Sequence, residues 1–328
     1  MDRIRWGILG CGDVTEIKSG PALQRAARSE LVAVMRRDGA KAADYARRHN
    51  VARHYDDADQ LIADSQVDAV YVATPTSSHK DLVLKCLAAG KPVLVEKPMA
   101  LDAEACRVMV DAADQSCCSL SVAYYRRALP RFEKFREIVQ SGTIGAPRAV
   151  SVRQMQRAER IPDQAWKLDP LVNGGGIFVD VQTHALDWLG YVFGPPLAIS
   201  GDVRRHDVSK PAEDTIAYLM TFADVAATGL CCFAASRDEE TVTIFGDKGV
   251  VSMGFMRPGS IHLETETGRS VIEIVDPPHV HQPLVERLIA HYLDGAPNPC
   301  SGQDGMQAAR MIDEIFRSYR AAAASPGA

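Results

Sequence analysis

The first third of the chain alternates short apolar runs with segments of helical period. Ile4 to Leu9, Leu31 to Met35, Asp68 to Ala73, Pro92 to Glu96 and Leu120 to Ala123 are near-continuous apolar runs, the signature of strands covered on both faces. Between them, Ala40 to His49, Lys80 to Ala89 and Ala103 to Ser116 carry apolar residues at helical spacing, and Gly90 stands where a helix C-cap is wanted. The repeating unit has the length of a βαβ crossover. The pattern predicts an α/β domain over residues 1–123: a parallel sheet wrapped by helices, doubly wound in the Rossmann manner.

Beyond about residue 124 the strand-like stretches follow one another with little helix between them. Arg148 to Gln156, Ala198 to Arg204, Thr215 to Phe222, Ala226 to Phe233, Glu240 to Phe245, Gly249 to Met253, Ser260 to Glu264 and Ser270 to Val275 alternate or run apolar. Turn residues such as Gly246 to Gly249 separate them. Helices are expected at Pro130 to Ser141, Gly176 to Phe193, Gln282 to Asp294 and Gln303 to Ala323. A second, α+β domain is therefore expected over residues 124–328, built on a large, mostly antiparallel open sheet with one buried face. A sheet face without helix cover would suit a homodimer or homotetramer.

A length of 328 residues exceeds what a single core usually organises, in keeping with two domains. With 46% apolar and 24% charged residues the chain is neither disordered nor a small disulfide scaffold. The balance of 37 basic against 42 acidic side chains, net −5, carries no footprint for nucleic acid or anionic membrane, so a small molecule is the expected ligand. Eight cysteines (Cys11, Cys86, Cys106, Cys117, Cys118, Cys231, Cys232, Cys300) form no CxxC pair and read as reduced thiols of a cytoplasmic protein, with no metal expected. The start of the chain runs into a strand without an apolar leader, and no apolar stretch approaches the roughly 20 residues that span a bilayer.

Gly7-Ile-Leu-Gly10-Cys11-Gly12-Asp13-Val14-Thr15 follows the first strand and opens a helix, the context a dinucleotide fingerprint requires. Gly10 permits the tight turn and Gly12 lets the backbone approach a pyrophosphate, which Asp13 and Val14 would meet with the N–H groups of a helix start. The third glycine of the fingerprint is Thr15 here, and a glycine turn that binds nothing is the plain alternative. The second strand ends in Arg36-Arg37-Asp38, with Arg36 lying 36 − 12 = 24 residues after Gly12. Two guanidiniums stand where NAD-specific proteins place a carboxylate, so NADP is the expected cofactor. NAD held by Asp38 beside a solvated arginine pair is the alternative.

Thr74-Pro75-Thr76-Ser77-Ser78-His79 and Glu96-Lys97-Pro98 leave the carboxyl ends of consecutive strands, where doubly wound sheets hold ligands. With these motifs the sequence resembles the glucose-fructose oxidoreductase, inositol dehydrogenase and MocA (Gfo/Idh/MocA) family, whose members carry Glu-Lys-Pro at this strand end. The resemblance is strongest over residues 4–127 and 166–190. It implies that Lys97 points at the reacting carbon beside the nicotinamide, that the Lys97–Pro98 bond is often cis, and that Thr74, Pro75, His79 and Glu96 border the cofactor. Read without it, a lysine after a strand is a solvated charge.

Asn173-Gly-Gly-Gly176 leads into a helix on which Asp180, His184, Asp187 and Tyr191 share one stripe. A carboxylate and an imidazole four residues apart touch on a helix face, although the wet side of an amphipathic helix has the same spacing. The resemblance implies that His184 is the proton shuttle for a substrate hydroxyl, with Asp180 orienting it. It also places Tyr124, Arg126, Trp166 and Lys167 at the substrate. His279 and His281 read either as further pocket residues or as loop histidines. The function implied is an NADP-preferring oxidoreductase moving hydride to or from a secondary hydroxyl or carbonyl of a sugar, polyol or related ring compound. The alternatives are a scaffold of the same fold without turnover, and an NAD enzyme that retains its cofactor.

Overall fold

The computed structural model describes residues 2–160 and 165–324. The chain forms two compact units, residues 1–129 with 277–306 and residues 130–276 with 307–328.

The first unit holds a six-stranded sheet of β1 (Ile4–Leu9), β2 (Ser29–Met35), β3 (Arg53–Tyr55), β4 (Ala69–Val72), β5 (Val93–Val95) and β6 (Leu120–Val122). Their order is β3-β2-β1-β4-β5-β6 and every neighbouring pair is parallel, which is the doubly wound arrangement. Helices α1 (Asp13–Ile17), α2 (Ser19–Arg25), α3 (Gly39–His49), α4 (Ala58–Ala63), α5 (His79–Ala88) and α6 (Ala103–Ser116) accompany it. Strand β1 carries Trp6, Ile8 and Leu9 with no exposed surface, because helices cover a parallel sheet on both faces. Helix α6 shows the periodicity at work: Cys106, Met109, Val110 and Ala113 are its buried residues, Asp102 caps its start by accepting the Ala105 N–H at 2.7 Å, and Cys117 ends it in the left-handed region. The helix expected to open at the fingerprint is present as α1, whereas the short elements β3, α2 and α4 were not expected, since three to seven residues carry too little periodicity to register.

The second unit holds an eight-stranded sheet of β7 (Pro147–Arg157), β8 (Ala198–Arg204), β9 (Thr215–Thr221), β10 (Ala226–Ala235), β11 (Glu239–Gly246), β12 (Gly249–Met253), β13 (Ile261–Thr265) and β14 (Gly268–Ile272). The order is β14-β13-β12-β11-β7-β10-β9-β8, and only the pairing of β7 with β10 is parallel. The expected mostly antiparallel sheet is thus present. Strand β14 ends earlier than the expected Val275, because its partner β13 begins at Ile261, which lies opposite Ile272. Along β9, Ile216, Tyr218 and Met220 face inward while Leu219 is 47% exposed on the outer face.

Helices α7 (Pro130–Gln140), α8 (Pro170–Asn173) and α9 (Ile177–Phe193) belong to this unit. The core is aromatic where α9 meets α7: Trp188 lies 5.2 Å from Phe135, and Phe132 packs edge-on to Phe255 at 4.9 Å. Helix α10 (Gln282–Asp294) sits in the segment that returns to the first unit, and α11 (Gly302–Ala324) begins there before entering the second. The division expected after residue 123 differs from the observed one chiefly in this return. A helix declares itself by its own period, but its apolar face finds its core only in three dimensions.

Candidate active site

In the first unit the turn after β1 has the form a pyrophosphate needs. Gly10 adopts φ +93°, and an added Cβ would lie 2.8 Å from Thr74 Cγ2 and 2.9 Å from the Ala73 backbone, so both conformation and space require glycine. Gly12 differs. Its backbone is extended, and the nearest atom to an added Cβ is 4.0 Å away, so nothing within the unit demands glycine there. What the missing side chain leaves is open room over the backbone, the cradle a phosphate fills. Thr15, standing at the third glycine position, is buried; its hydroxyl donates to the Gly12 carbonyl at 2.7 Å and its own carbonyl accepts from Tyr45 Oη at 2.8 Å. Burial pushes the Cys11 thiol up to about 11, which keeps it an unreactive thiol beside the turn.

At the end of β2, Arg36, Arg37 and Asp38 are exposed. Arg36 Nη1 donates to the Cys11 carbonyl at 3.3 Å, which brings this guanidinium to the fingerprint turn. The Asp38 carboxylate caps α3, accepting the Lys41 N–H at 3.2 Å and pairing with Lys41 Nζ at 3.2 Å. Those bonds hold its carboxyl below the usual range.

His79 is buried and joins the two following loops: Nε2 faces the Thr74 carbonyl at 2.8 Å and Nδ1 faces the Pro98 carbonyl at 3.0 Å. Burial pushes this imidazole towards its neutral form. Thr74 Oγ1 accepts from Ser78 Oγ at 2.8 Å, and the Lys97–Pro98 peptide is cis. Glu96 is buried, with Oε1 receiving the Tyr71 hydroxyl and lying 3.2 Å from His281 Nε2, while Oε2 accepts the Lys97 N–H at 3.1 Å. Burial alone would raise this carboxyl; the His281 bond, the charges of His281 and Lys97 and the Tyr71 hydroxyl hold it low. Beyond β6, Tyr124 is 1% and Arg126 5% exposed, and the Arg126 guanidinium lies 5.3 Å from the centre of the Tyr125 ring.

In the second unit the triple-glycine turn packs against β9's lead-in. A Cβ on Gly176 would fall 2.8 Å from Ala212 Cβ and 3.0 Å from the Glu213 carbonyl. The Gly176 N–H, at the start of α9, donates to Glu213 Oε1 at 2.7 Å, and Arg320 donates to the Gly174 carbonyl at 3.2 Å. Asp180 sits in the first turn of α9 and pairs with Lys167 Nζ at 3.2 Å; the same ammonium lies 5.5 Å from the centre of the half-exposed Trp166 ring. His184 follows one turn later and is 3% exposed, and every residue from Gln182 to Leu189 is buried. The polar stripe is therefore not a wet face throughout: His184 and Asp187 are buried, while Asp180 and Tyr191 at its ends are half-buried. Among the described residues no group of three or more His, Cys, Asp or Glu side chains has the geometry of a metal site.

Family comparison decides what this arrangement belongs to. Residues 4–124 match the model of an oxidoreductase family with an NAD-binding Rossmann fold, and residues 132–252 match the GFO/IDH/MocA C-terminal domain. The chain belongs to the Gfo/Idh/MocA family. It is an NAD(P)-dependent dehydrogenase or reductase acting on CH–OH groups, which removes the scaffold alternative. Oxidoreductase P35 of Formosa agariphila is 34% identical over 316 residues, 95% of this chain and 98% of that protein. The trans-1,2-dihydrobenzene-1,2-diol dehydrogenase of Sus scrofa is 31% identical over 255 residues, 76% of this chain and 74% of its own length. Among solved structures, aldose-aldose oxidoreductase from Caulobacter crescentus, complexed with glycerol, superimposes with a TM-score of 0.87 at 25% identity, covering 98% of both chains.

For a member of this family, the sequence named the segments but missed two of their supports. Glu213 had no signal, since its bond to Gly176 spans 37 residues without a motif. His281, read either as a pocket residue or as a loop histidine, is 1% exposed and bonded to Glu96 across 185 residues. His279 instead sets Nδ1 3.1 Å from the Ile17 carbonyl.

Proposed function

We propose that the protein transfers hydride between NADP and a secondary hydroxyl or carbonyl of a sugar, polyol or related ring compound. The observation that carries the reading is the acid–base set inside the second unit: His184 buried on α9, one turn from an Asp180 that is itself paired with Lys167. The relatives' substrates, an aldose and a ring diol by name, are of the same chemical kind.

Gly10, Gly12, Asp13 and Val14 would receive the pyrophosphate, and Arg36 and Arg37 the 2′-phosphate. The capping role of Asp38 supports NADP over NAD, because both of its oxygens already engage Lys41. Thr74, Pro75, His79, Glu96, Lys97 and Pro98 would border the nicotinamide, which when bound accepts or returns the hydride. His184 takes the hydroxyl proton as general base, Asp180 orients the ring and favours its cation, and the Lys97 ammonium stabilises charge developing on oxygen. Tyr124, Arg126, Trp166 and Lys167 would contact the substrate. The reading also takes the protein as cytoplasmic, forming a homodimer or homotetramer through the outer face of the eight-stranded sheet, where Leu219, Leu230 and Phe245 are exposed. No described helix is long and apolar enough to cross a membrane.

The test is a panel of sugars and polyols assayed with both cofactors, for wild type and His184→Ala. The variant should lose about 10²- to 10⁴-fold in kcat with cofactor binding nearly intact, and Asp180→Asn should lose less. Full activity of His184→Ala with an unchanged pH profile would assign the base elsewhere.

A further inference from the structure

Within the first unit, the turn that follows β1 is held from α3 as well as by its own residues. Helix α1 has only five residues, and a helix that short does not keep its shape in isolation. Thr15 lies in its middle. The Thr15 N–H gives to the Gly12 carbonyl at 3.0 Å, the Thr15 hydroxyl gives to the same oxygen at 2.7 Å, and the Glu16 N–H joins them at 3.2 Å. The Gly12 carbonyl and the Asp13 N–H belong to one planar peptide and point opposite ways, so donors on the carbonyl aim the N–H. The Thr15 carbonyl is one of the last four of α1, the ones for which a helix runs out of its own donors. It accepts the hydroxyl of Tyr45 at 2.8 Å. Tyr45 is 1% exposed on the buried stripe of α3, and burial pushes its phenol up to about 12, so it stays a donor. Gly20 keeps the room for this bond: an added Cβ would collide with both the Thr15 carbonyl oxygen and the Tyr45 hydroxyl.

We propose that Tyr45 is a positioning residue for the pyrophosphate turn: its buried hydroxyl pins Thr15, and Thr15, standing where the fingerprint has a third glycine, pins the Gly12 carbonyl and so aims the Asp13 N–H. This inference rests on the reading of Gly10 to Val14 as the pyrophosphate site. Where a glycine would contribute only space, Thr15 contributes a hydroxyl on Gly12 and a carbonyl on which α3 takes hold. The same face of α3 grips α1 a second time, with Arg48 on Glu16 at 2.6 and 2.9 Å and His49 on Glu16 at 2.7 Å. The Arg48–Glu16 pair is partly exposed and screened by solvent, so it holds the helix more weakly. The Tyr45 bond is buried. Its loss leaves the Thr15 carbonyl without that partner and lets Thr15 shift, and Gly12 with it. The pyrophosphate is common to NADP and NAD, so Tyr45 acts on both cofactors alike, unlike the Arg36 and Arg37 pair.

The test is fluorescence titration of the intact chain with NADPH and with NADH. Tyr45→Phe should raise Kd for both at least about fivefold, the scale of one hydrogen bond. Thr15→Val, which keeps the shape and removes the hydroxyl, should do the same, and serves if the phenylalanine variant does not fold. Thr15→Ser, which keeps the hydroxyl, should stay within about twofold of wild type. Combined, Tyr45→Phe and Thr15→Val should raise Kd by less than the product of their single effects, because both act on one chain of bonds. In the cofactor-free protein, amide exchange over residues 13–18 should be at least about threefold faster in Tyr45→Phe. In turnover, KM for NADP should rise by a larger factor than kcat falls. A Tyr45→Phe protein with lowered Tm and unchanged Kd would reduce the bond to a structural one and overturn the proposal, as would single effects that simply multiply in the double variant. The underlying reading is checked apart from it. Unaffected cofactor binding in Gly12→Ala would sink the pyrophosphate site and this inference together, whereas weakened binding there beside unaffected Tyr45→Phe and Thr15→Val would overturn the inference alone.

Discussion

Replacing Glu213 with glutamine perturbs one buried carboxyl and leaves its shape and its bond to α9 in place. Glu213 is 5% exposed, and burial raises its carboxyl from 4.5 to about 7 despite the N–H of Gly176 that favours the charged form. The unfolded chain ionises this group at its ordinary value, so the folded state binds the extra proton between about pH 4.5 and 7. Below that window both states are protonated and the site contributes its full stability. Across it, stability falls as pH rises, and above it the contribution is lost. The gap of about 7 − 4.5 corresponds to about 3 kcal/mol at 1.36 kcal/mol per unit, an upper bound for a group this buried. Glutamine cannot ionise, so the variant escapes the loss, and every other titrating group cancels between the two proteins. Thermal unfolding of wild type and Glu213→Gln from pH 5 to pH 8 should show the difference in Tm moving in the variant's favour, by up to roughly 6 to 12 °C at about 2–4 °C per kcal/mol. Parallel Tm curves over that range would refute the reasoning, because they would mean the carboxyl titrates alike folded and unfolded.

Three further outcomes follow from the cofactor half. Replacing Arg36 and Arg37 together by serine should raise KM for NADP at least tenfold, about 1.4 kcal/mol, with much less change for NAD; equal weakening of both would remove the 2′-phosphate argument. Gly12→Ala should leave Tm within about a degree of wild type, since its Cβ meets nothing closer than 4.0 Å, yet weaken cofactor binding measured by fluorescence titration. Gly10→Ala, forced into φ +93° and against Ala73, should instead lower Tm by several degrees, and an unaffected Tm there would contradict the packing of the turn.

What could be read from the chain alone was whatever leaves a local trace. Apolar runs at βαβ spacing announced the parallel sheet, and Gly10 and Gly12 announced the tight turn after its first strand, because strands and turns are made by residues close in sequence. Alternation along Thr215 to Thr221 announced the second sheet in the same way. Tertiary structure decided the rest. The stripe of Asp180, His184 and Asp187 has the spacing of a solvated face, yet His184 and Asp187 are buried because other elements close over α9. Asp38, which carries no capping signal of its own in the sequence reading, caps α3. Glu213 and His281, the side chains that hold α9 and Glu96, act across 37 and 185 residues. A bond over that distance imposes no period and no spacing, so it acquires meaning only when folding brings its two ends together.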